Sequence, residues 1–84
     1  MENKELKSKL NHLLRHGGFW LLVSDREQIV DLINFGAVKV FSKDNKWYWV
    51  SLGYTFGAKQ RIKEFISVLT IKIKQDENKK MLRM

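Results

Sequence analysis

Cysteine is absent from this chain of 84 residues, and so is proline. Without cysteine there is no disulfide, no thiolate site for zinc or an iron–sulfur cluster, and no cysteine nucleophile. The lack of proline, together with frequent Lys, Asn and Ile, is typical of an AT-rich genome such as that of a low-GC bacterium or a phage. The fold therefore depends on a small apolar core without covalent or thiolate support.

Long apolar runs are missing as well. No segment approaches the about 20 apolar residues that span a membrane, and the first residues carry acid where a signal peptide has an apolar stretch. We therefore expect a cytoplasmic protein with no membrane contact. The length suits one domain and excludes a two-domain enzyme. We expect a single domain over residues 1–75 and a charged C-terminal tail over residues 76–84.

Acidic residues are few relative to basic ones. Nine Asp and Glu face sixteen Lys and Arg, which gives a net charge of +7. The excess is uneven, because residues 37–63 contain six basic side chains and one acidic side chain. This distribution favours a polyanion or an acidic protein surface as the partner.

Three segments have the apolar spacing of amphipathic helices. The first covers residues 4–16 and ends at the glycines that follow it. The second is predicted at about residues 25–35, where Ser24 and Glu27 have the spacing of a capping box and Gly36 is suited to end the helix. The third follows Gly57 and turns five apolar residues inward: Ala58, Ile62, Phe65, Ile66 and Leu69.

The strand signals lie between these helices. Residues 19–24 form a short, nearly continuous apolar run that predicts a buried strand. From residue 37 the period changes to two, and a turn at Asp44 and Asn45 predicts a hairpin whose returning strand is residues 47–52. One face of this hairpin is the predicted core face: Val38, Val40, Tyr48, Val50 and Leu52. The opposite face carries Lys39, Phe41, Lys43, Trp47, Trp49 and Ser51.

Residues 70–74 are open to two interpretations. They alternate like a strand, yet Ile66, Leu69 and Ile73 would also continue a helical stripe. With the strand preferred, the chain is predicted to be α+β: an N-terminal helix, then a β-α-β-β-α-β ferredoxin-like antiparallel sheet with helices on one face and the other face free to bind. The alternative is a winged helix, for which the chain lacks one helix.

The free hairpin face mixes cations with aromatic rings, and Lys46 lies at its turn. Cations neutralise phosphates and aromatic rings stack on unpaired bases, so the mixture suits single-stranded RNA or DNA. Three further basic residues begin the third helix: Lys59, Arg61 and Lys63. Two alternatives stay open for this face. In the first alternative, the tryptophans are packing residues covered by the N-terminal helix or by a second subunit. In the second, the lysines form a solvated surface that serves solubility alone.

Two short segments resemble strands of known families. Residues 19–23 and 46–52 resemble degenerate first-strand and third-strand motifs of RNA-recognition motifs, although the small residues between the third-strand aromatics are lacking. Residues 47–56 are similar to the second half of peptidoglycan-binding SPOR domains, which act outside the cytoplasmic membrane. The resemblance implies an analogous architecture and assigns the chain to neither family.

Catalytic patterns are sparse. His12 and His16 have a helical spacing that can bind a metal, but the Glu that follows the first histidine in a zinc protease is replaced by Leu13. Gly53, Thr55 and Gly57 precede a helix, yet their spacing does not match a Walker loop and turn geometry explains the glycines. We therefore expect no enzyme activity, no metal and no cofactor.

The sequence thus predicts a small basic protein that binds nucleic acid without catalysis. The preferred ligand is RNA or a protein–RNA complex, and single-stranded DNA is the second choice. The alternative is a phage-encoded inhibitor or interaction protein directed at a host nuclease, toxin or defence factor. We also expect a homodimer or a hetero-complex, because a sheet edge with Ile71 and Ile73 would leave apolar surface for a second chain to bury.

Overall fold

A computed structural model describes the backbone of residues 1–82 and the side chains of residues 1–79. The elements follow in this order: α1 (Asn3–His16), β1 (Gly18–Leu22), a 3-10 helix (Val23–Ile29), α2 (Val30–Phe35), β2 (Val38–Ser42), β3 (Trp47–Leu52) and α3 (Ala58–Leu82). The chain is therefore α+β, as the sequence predicts.

Glycines end the first two α-helices, as predicted. Gly17 has φ 89°, and its N–H donates to the Leu13 carbonyl at 2.8 Å. Gly36 has φ 86° at the end of α2. The start of the second helix differs from prediction, because the chain first forms the 3-10 helix and no side chain caps either segment. The capping box at Ser24 is therefore wrong, since Ser24 already lies inside the 3-10 helix.

The sheet has the strand order β1-β3-β2, and both strand pairs are antiparallel. Phe19 of β1 and Val40 of β2 both pair with Val50 of β3, so their side chains share one face. The side chains one position further along each strand point to the opposite face of the sheet. The predicted alternation of the hairpin is confirmed, and β1 extends it to a third strand.

The core lies on the Val50 face of the sheet. Val50 and Leu21 are 0% and 1% exposed, and the leucines of α1 pack into the same cluster. The core residues contributed by the helices and the helix-flanking segments are Leu6, Leu10, Leu13, Ile29, Leu32, Ala37, Ala58, Ile62 and Leu69. The apolar stripes predicted for the first and third helices are therefore the faces that fold inward.

The predicted fourth strand at residues 70–74 is wrong, because these residues lie within α3. Leu69 is buried, and Ile66 and Ile73 are partly buried along the same side of the helix. α3 packs along α1, and Lys4 Nζ lies 3.0 Å from a carboxylate oxygen of Glu77. Residues 70–74 therefore form a helix rather than a strand, because the apolar stripe of α3 packs against α1. Among residues 1–82 the sheet has three strands.

α3 continues through residues 76–82, the segment predicted as a charged tail, and residues 83–84 lie outside the described part of the chain. Ile71 and Ile73 lie on this helix rather than at a sheet edge, so the apolar surface expected there belongs to α3. Within residues 1–82 no helix combines the length and the apolar character needed to cross a membrane.

Candidate nucleic-acid interface

The sheet face away from the core, called here the open sheet face, carries the side chains of Trp20, Leu22, Lys39, Phe41, Trp47, Trp49 and Ser51. All of these residues are half-buried or exposed, and Trp20 and Phe41 are 43% and 50% exposed. Neither Trp47 nor Trp49 belongs to the core cluster of the described residues. Four of the predicted binding residues thus share this face: Lys39, Phe41, Trp47 and Trp49.

Three aromatic side chains form a row across the whole sheet. Trp49 on the central strand pairs with Trp20 on one side and with Phe41 on the other. The Trp20 and Trp49 rings have centroids 4.8 Å apart and planes 62° apart. Because neighbouring strands are about 4.8 Å apart, the row presents aromatic surface over roughly 10 Å.

A glycine positions the central ring of this row. The Trp49 indole lies over Gly18 of β1, in the space that a side chain at residue 18 would occupy. The Gly18 carbonyl accepts a hydrogen bond from Nδ1 of His12 at 2.9 Å, which ties β1 to the last turns of α1. The open sheet face is therefore built around a position without a side chain.

Lysine ammonium groups lie close to the aromatic rings. Lys43 Nζ is 5.0 Å from the Trp20 ring centroid, and Lys39 Nζ is 5.7 Å from that of Phe41. Lys39 Nζ is also 3.5 Å from the ring centroid of Tyr54. A hydrogen bond from Lys39 and then its positive charge lower the pKa of the Tyr54 phenol. Cation–π attraction keeps these charges on the open sheet face.

Asp44 fixes the backbone of the hairpin turn in which Lys46 lies. Oδ1 of Asp44 accepts the N–H of Lys46 at 2.8 Å and that of Trp47 at 2.9 Å. These two backbone hydrogen bonds lower the pKa of the Asp44 carboxyl, and the charges of Lys43 and Lys46 act in the same direction. The predicted turn is confirmed, and it leads directly into the strand that carries Trp47 and Trp49.

The basic start of α3 is separate from the sheet face. Lys59, Arg61 and Lys63 are all exposed on the first turns of the helix. The Arg61 guanidinium lies 5.0 Å from the ring centroid of Phe35, at the end of α2. Arg61 is thus directed toward α2, whereas Lys39 and Lys43 lie beside the aromatic row.

The histidines and the glycine loop have structural contacts. The His12 and His16 rings are 4.5 Å apart, and the described residues contain no group of three metal-ligating side chains. Gly57 has φ 82°, and the Gly53 N–H donates to the Ala37 carbonyl at 2.8 Å, where the two backbones approach closely. Turn geometry therefore accounts for Gly57, and the close approach of the backbone at Gly36 and Ala37 accounts for Gly53.

Several residues on or beside the open sheet face are absent from the predicted binding residues, among them Trp20, Tyr54 and Lys9. Trp20 lies in the unbroken apolar run, Tyr54 lies in the loop after β3, and Lys9 Nζ donates to the Trp20 carbonyl at 3.3 Å. The unbroken apolar run of β1 does not show which side chains are exposed, and only the structure places Trp20 out of phase with buried Phe19 and Leu21. Lys9 approaches Trp20, and Tyr54 approaches Lys39, only through tertiary packing.

No protein-family model, curated protein sequence or solved structure matches the chain. The chemistry of the site therefore follows from its own geometry. The open sheet face offers ring surfaces and cations side by side, which can stack on planar groups and neutralise anions at the same time.

Proposed function

We propose that the open sheet face binds single-stranded nucleic acid, with RNA as the primary ligand. The observation that carries the proposal is the row of Trp20, Trp49 and Phe41, which crosses all three strands and leaves half of the Phe41 side chain exposed. Aromatic side chains in strands ordinarily fill a core, but in this chain the core cluster on the opposite face contains Phe19 and mainly aliphatic residues, and none of the three rings of the row belongs to it. The row is therefore available to a ligand.

Binding combines stacking with charge neutralisation. Unpaired bases stack on the rings of Trp20 and Phe41, which are the exposed ends of the row. Lys43 and Lys39, which contact these rings in the free protein, turn toward the phosphates of the bound strand. Base stacking on aromatic side chains tolerates any sequence, because every base has a π face. The expected ligand is thus single-stranded and of relaxed sequence preference.

Duplex nucleic acid fits this face less well. In a duplex each base is already stacked on its neighbours, so the aromatic row gains no contact with base faces. The lysines alone would then provide weak, salt-sensitive binding. The proposal requires no reaction, and it assigns the protein to binding without catalysis.

The proposal includes a finer description of the fold. The elements β1, α2, β2, β3 and α3 follow in the order of the first five elements of a split β-α-β-β-α-β unit. In that arrangement the helices cover one sheet face and the other is free. We propose that the chain is such a unit without its last strand, in which the extended α3 covers α1.

Fluorescence anisotropy with a labelled twelve-residue uridine oligonucleotide, U12, tests the proposal. Phe41→Ala should weaken binding by about 1–3 kcal/mol if a base stacks on this ring. Val68→Ala is the matched control, because both side chains are 50% exposed and Val68 lies on α3. Equal affinities of the two variants would contradict the proposal.

The anisotropy measurement, combined with copurification from cells, separates RNA binding from the protein-partner alternative. If wild-type protein leaves U12 free at physiological salt while a protein copurifies after nuclease digestion, an inhibitor or interaction protein replaces the RNA-binding proposal. The basic face would then meet an acidic surface of that partner. The homodimer or hetero-complex stays a prediction, which light scattering after nuclease treatment tests.

A further inference from the structure

The loop at residues 53–57 presents two aromatic side chains almost entirely to solvent. Tyr54 is 89% exposed and Phe56 is 100% exposed. A fully exposed phenylalanine contributes little to stability through burial, so packing within this chain does not explain it. Two such side chains in one short loop indicate a contact with a ligand or a partner.

The backbone that carries these side chains is held in place. The Gly53 N–H donates to the Ala37 carbonyl at 2.8 Å, and Oγ1 of Thr55 donates to the Phe35 carbonyl at 3.3 Å. The next residues enter α3, where the Ala58 N–H donates to the Thr55 carbonyl at 3.0 Å. Binding through this loop therefore requires little ordering of its backbone, which lowers the entropic cost of association.

Lys39 joins the loop to the open sheet face. Its ammonium lies between two rings, 5.7 Å from the centroid of Phe41 and 3.5 Å from that of Tyr54. Tyr54 is thus the next aromatic ring after the end of the row. The loop is followed by the exposed Lys59 and Arg61, so aromatic rings and cations continue beyond the sheet.

We propose that the loop extends the single-strand site, with two further bases stacking on Tyr54 and Phe56 after the strand passes Lys39. This inference rests on the function proposed above and adds a second segment to its binding site. A polyanion suits this position better than a second copy of the chain, because residues 37–63 carry six basic side chains and one acidic side chain. Two copies meeting here would bring like charges together.

The test compares a short and a long ligand. Labelled U4 can cover the aromatic row alone, whereas labelled U12 can cover the row and the loop. The variant Tyr54→Ala/Phe56→Ala should bind U12 at least about tenfold more weakly than wild type, the loss expected from stacked bases, and should bind U4 with unchanged affinity. Val68→Ala/Ile71→Ala is the matched control, because it removes two exposed apolar side chains from α3.

Each other outcome is decisive. If the loop variant binds U12 like wild type while Phe41→Ala weakens both ligands, the loop inference is overturned and the sheet proposal stands. If the loop variant weakens U4 and U12 equally, the loop acts on the sheet site and does not extend it. If wild-type protein binds neither ligand, the proposed function fails together with this inference.

Discussion

The Trp49 indole occupies the position that a side chain at residue 18 would take, so Gly18 and Trp49 are sterically linked across neighbouring strands. The link joins the end of α1 to the centre of the aromatic row, since Gly18 also accepts the hydrogen bond of His12. The orientation of the central ring is therefore a property of the β1 backbone as well as of β3.

Replacing Gly18 should disturb both the fold and the open sheet face. In Gly18→Ala the added methyl group would overlap the Trp49 ring and stand 2.8 Å from the Val50 carbonyl oxygen. Overpacking of this kind costs about 1–3 kcal/mol, and we expect a lower melting temperature with a shifted tryptophan emission spectrum. An unchanged melting temperature and spectrum would show that the ring does not depend on Gly18.

The core and the open sheet face should respond differently to truncation. Leu10 is 0% exposed in the core, so Leu10→Ala should reduce the free energy of unfolding by about 2–5 kcal/mol. Phe41 is 50% exposed, and we expect Phe41→Ala to cost clearly less. Urea unfolding of both variants measures the difference. Equal losses would mean that the row is part of the core.

The hairpin lysines should determine the salt dependence of RNA binding. Each phosphate contact on a single strand contributes about 0.7 to the slope of log affinity against log salt, so Lys39→Ala/Lys43→Ala/Lys46→Ala should reduce the slope by roughly two units. The control is Lys72→Ala/Lys74→Ala/Lys79→Ala, which removes the same charge from the exposed second half of α3. If both triple variants give the same slope, the hairpin is not the phosphate-binding surface.

The hairpin turn should add a pH-dependent contribution to stability. Two backbone N–H groups lower the pKa of folded Asp44 below its ordinary value of 3.8. A depressed folded pKa stabilises the fold above pH 3.8, and this stabilisation is lost as the pH falls through the folded pKa. Thermal unfolding of wild type and Asp44→Asn, measured from neutral pH to below pH 3.8, tests this contribution. The plots of melting temperature against pH for the two proteins should converge at low pH. Parallel curves would exclude it.

The elements of this fold were predictable where one period dominates. The leucine spacing of α1 and the alternation of β2 and β3 have a single solution, and both are confirmed. Residues 70–74 satisfy two periods at once, so the decision depends on which surface is available. α3 packs against α1, and this long-range contact cannot be deduced from the local sequence pattern of residues 70–74.

The open sheet face was only half visible in the sequence. The hairpin shows Phe41 and Trp49 on one side by alternation alone. The continuous apolar run of β1 hides its alternation, although Trp20 is 43% exposed and its neighbour Leu21 is 1% exposed. The strand order places Trp20 beside Trp49, and a pairing between distant segments cannot be deduced from either segment alone.

An NMR titration of the protein with U12 tests most directly whether the open sheet face binds RNA. We expect the indole N–H resonances of Trp20 and Trp49 and the ring resonances of Phe41 to shift together as RNA is added. The methyl resonances of Leu10 and Leu32, which are fully buried, should stay in place. If saturating RNA leaves the resonances of the three aromatic residues unshifted, or shifts only resonances of α1 and α3, RNA does not bind at the open sheet face.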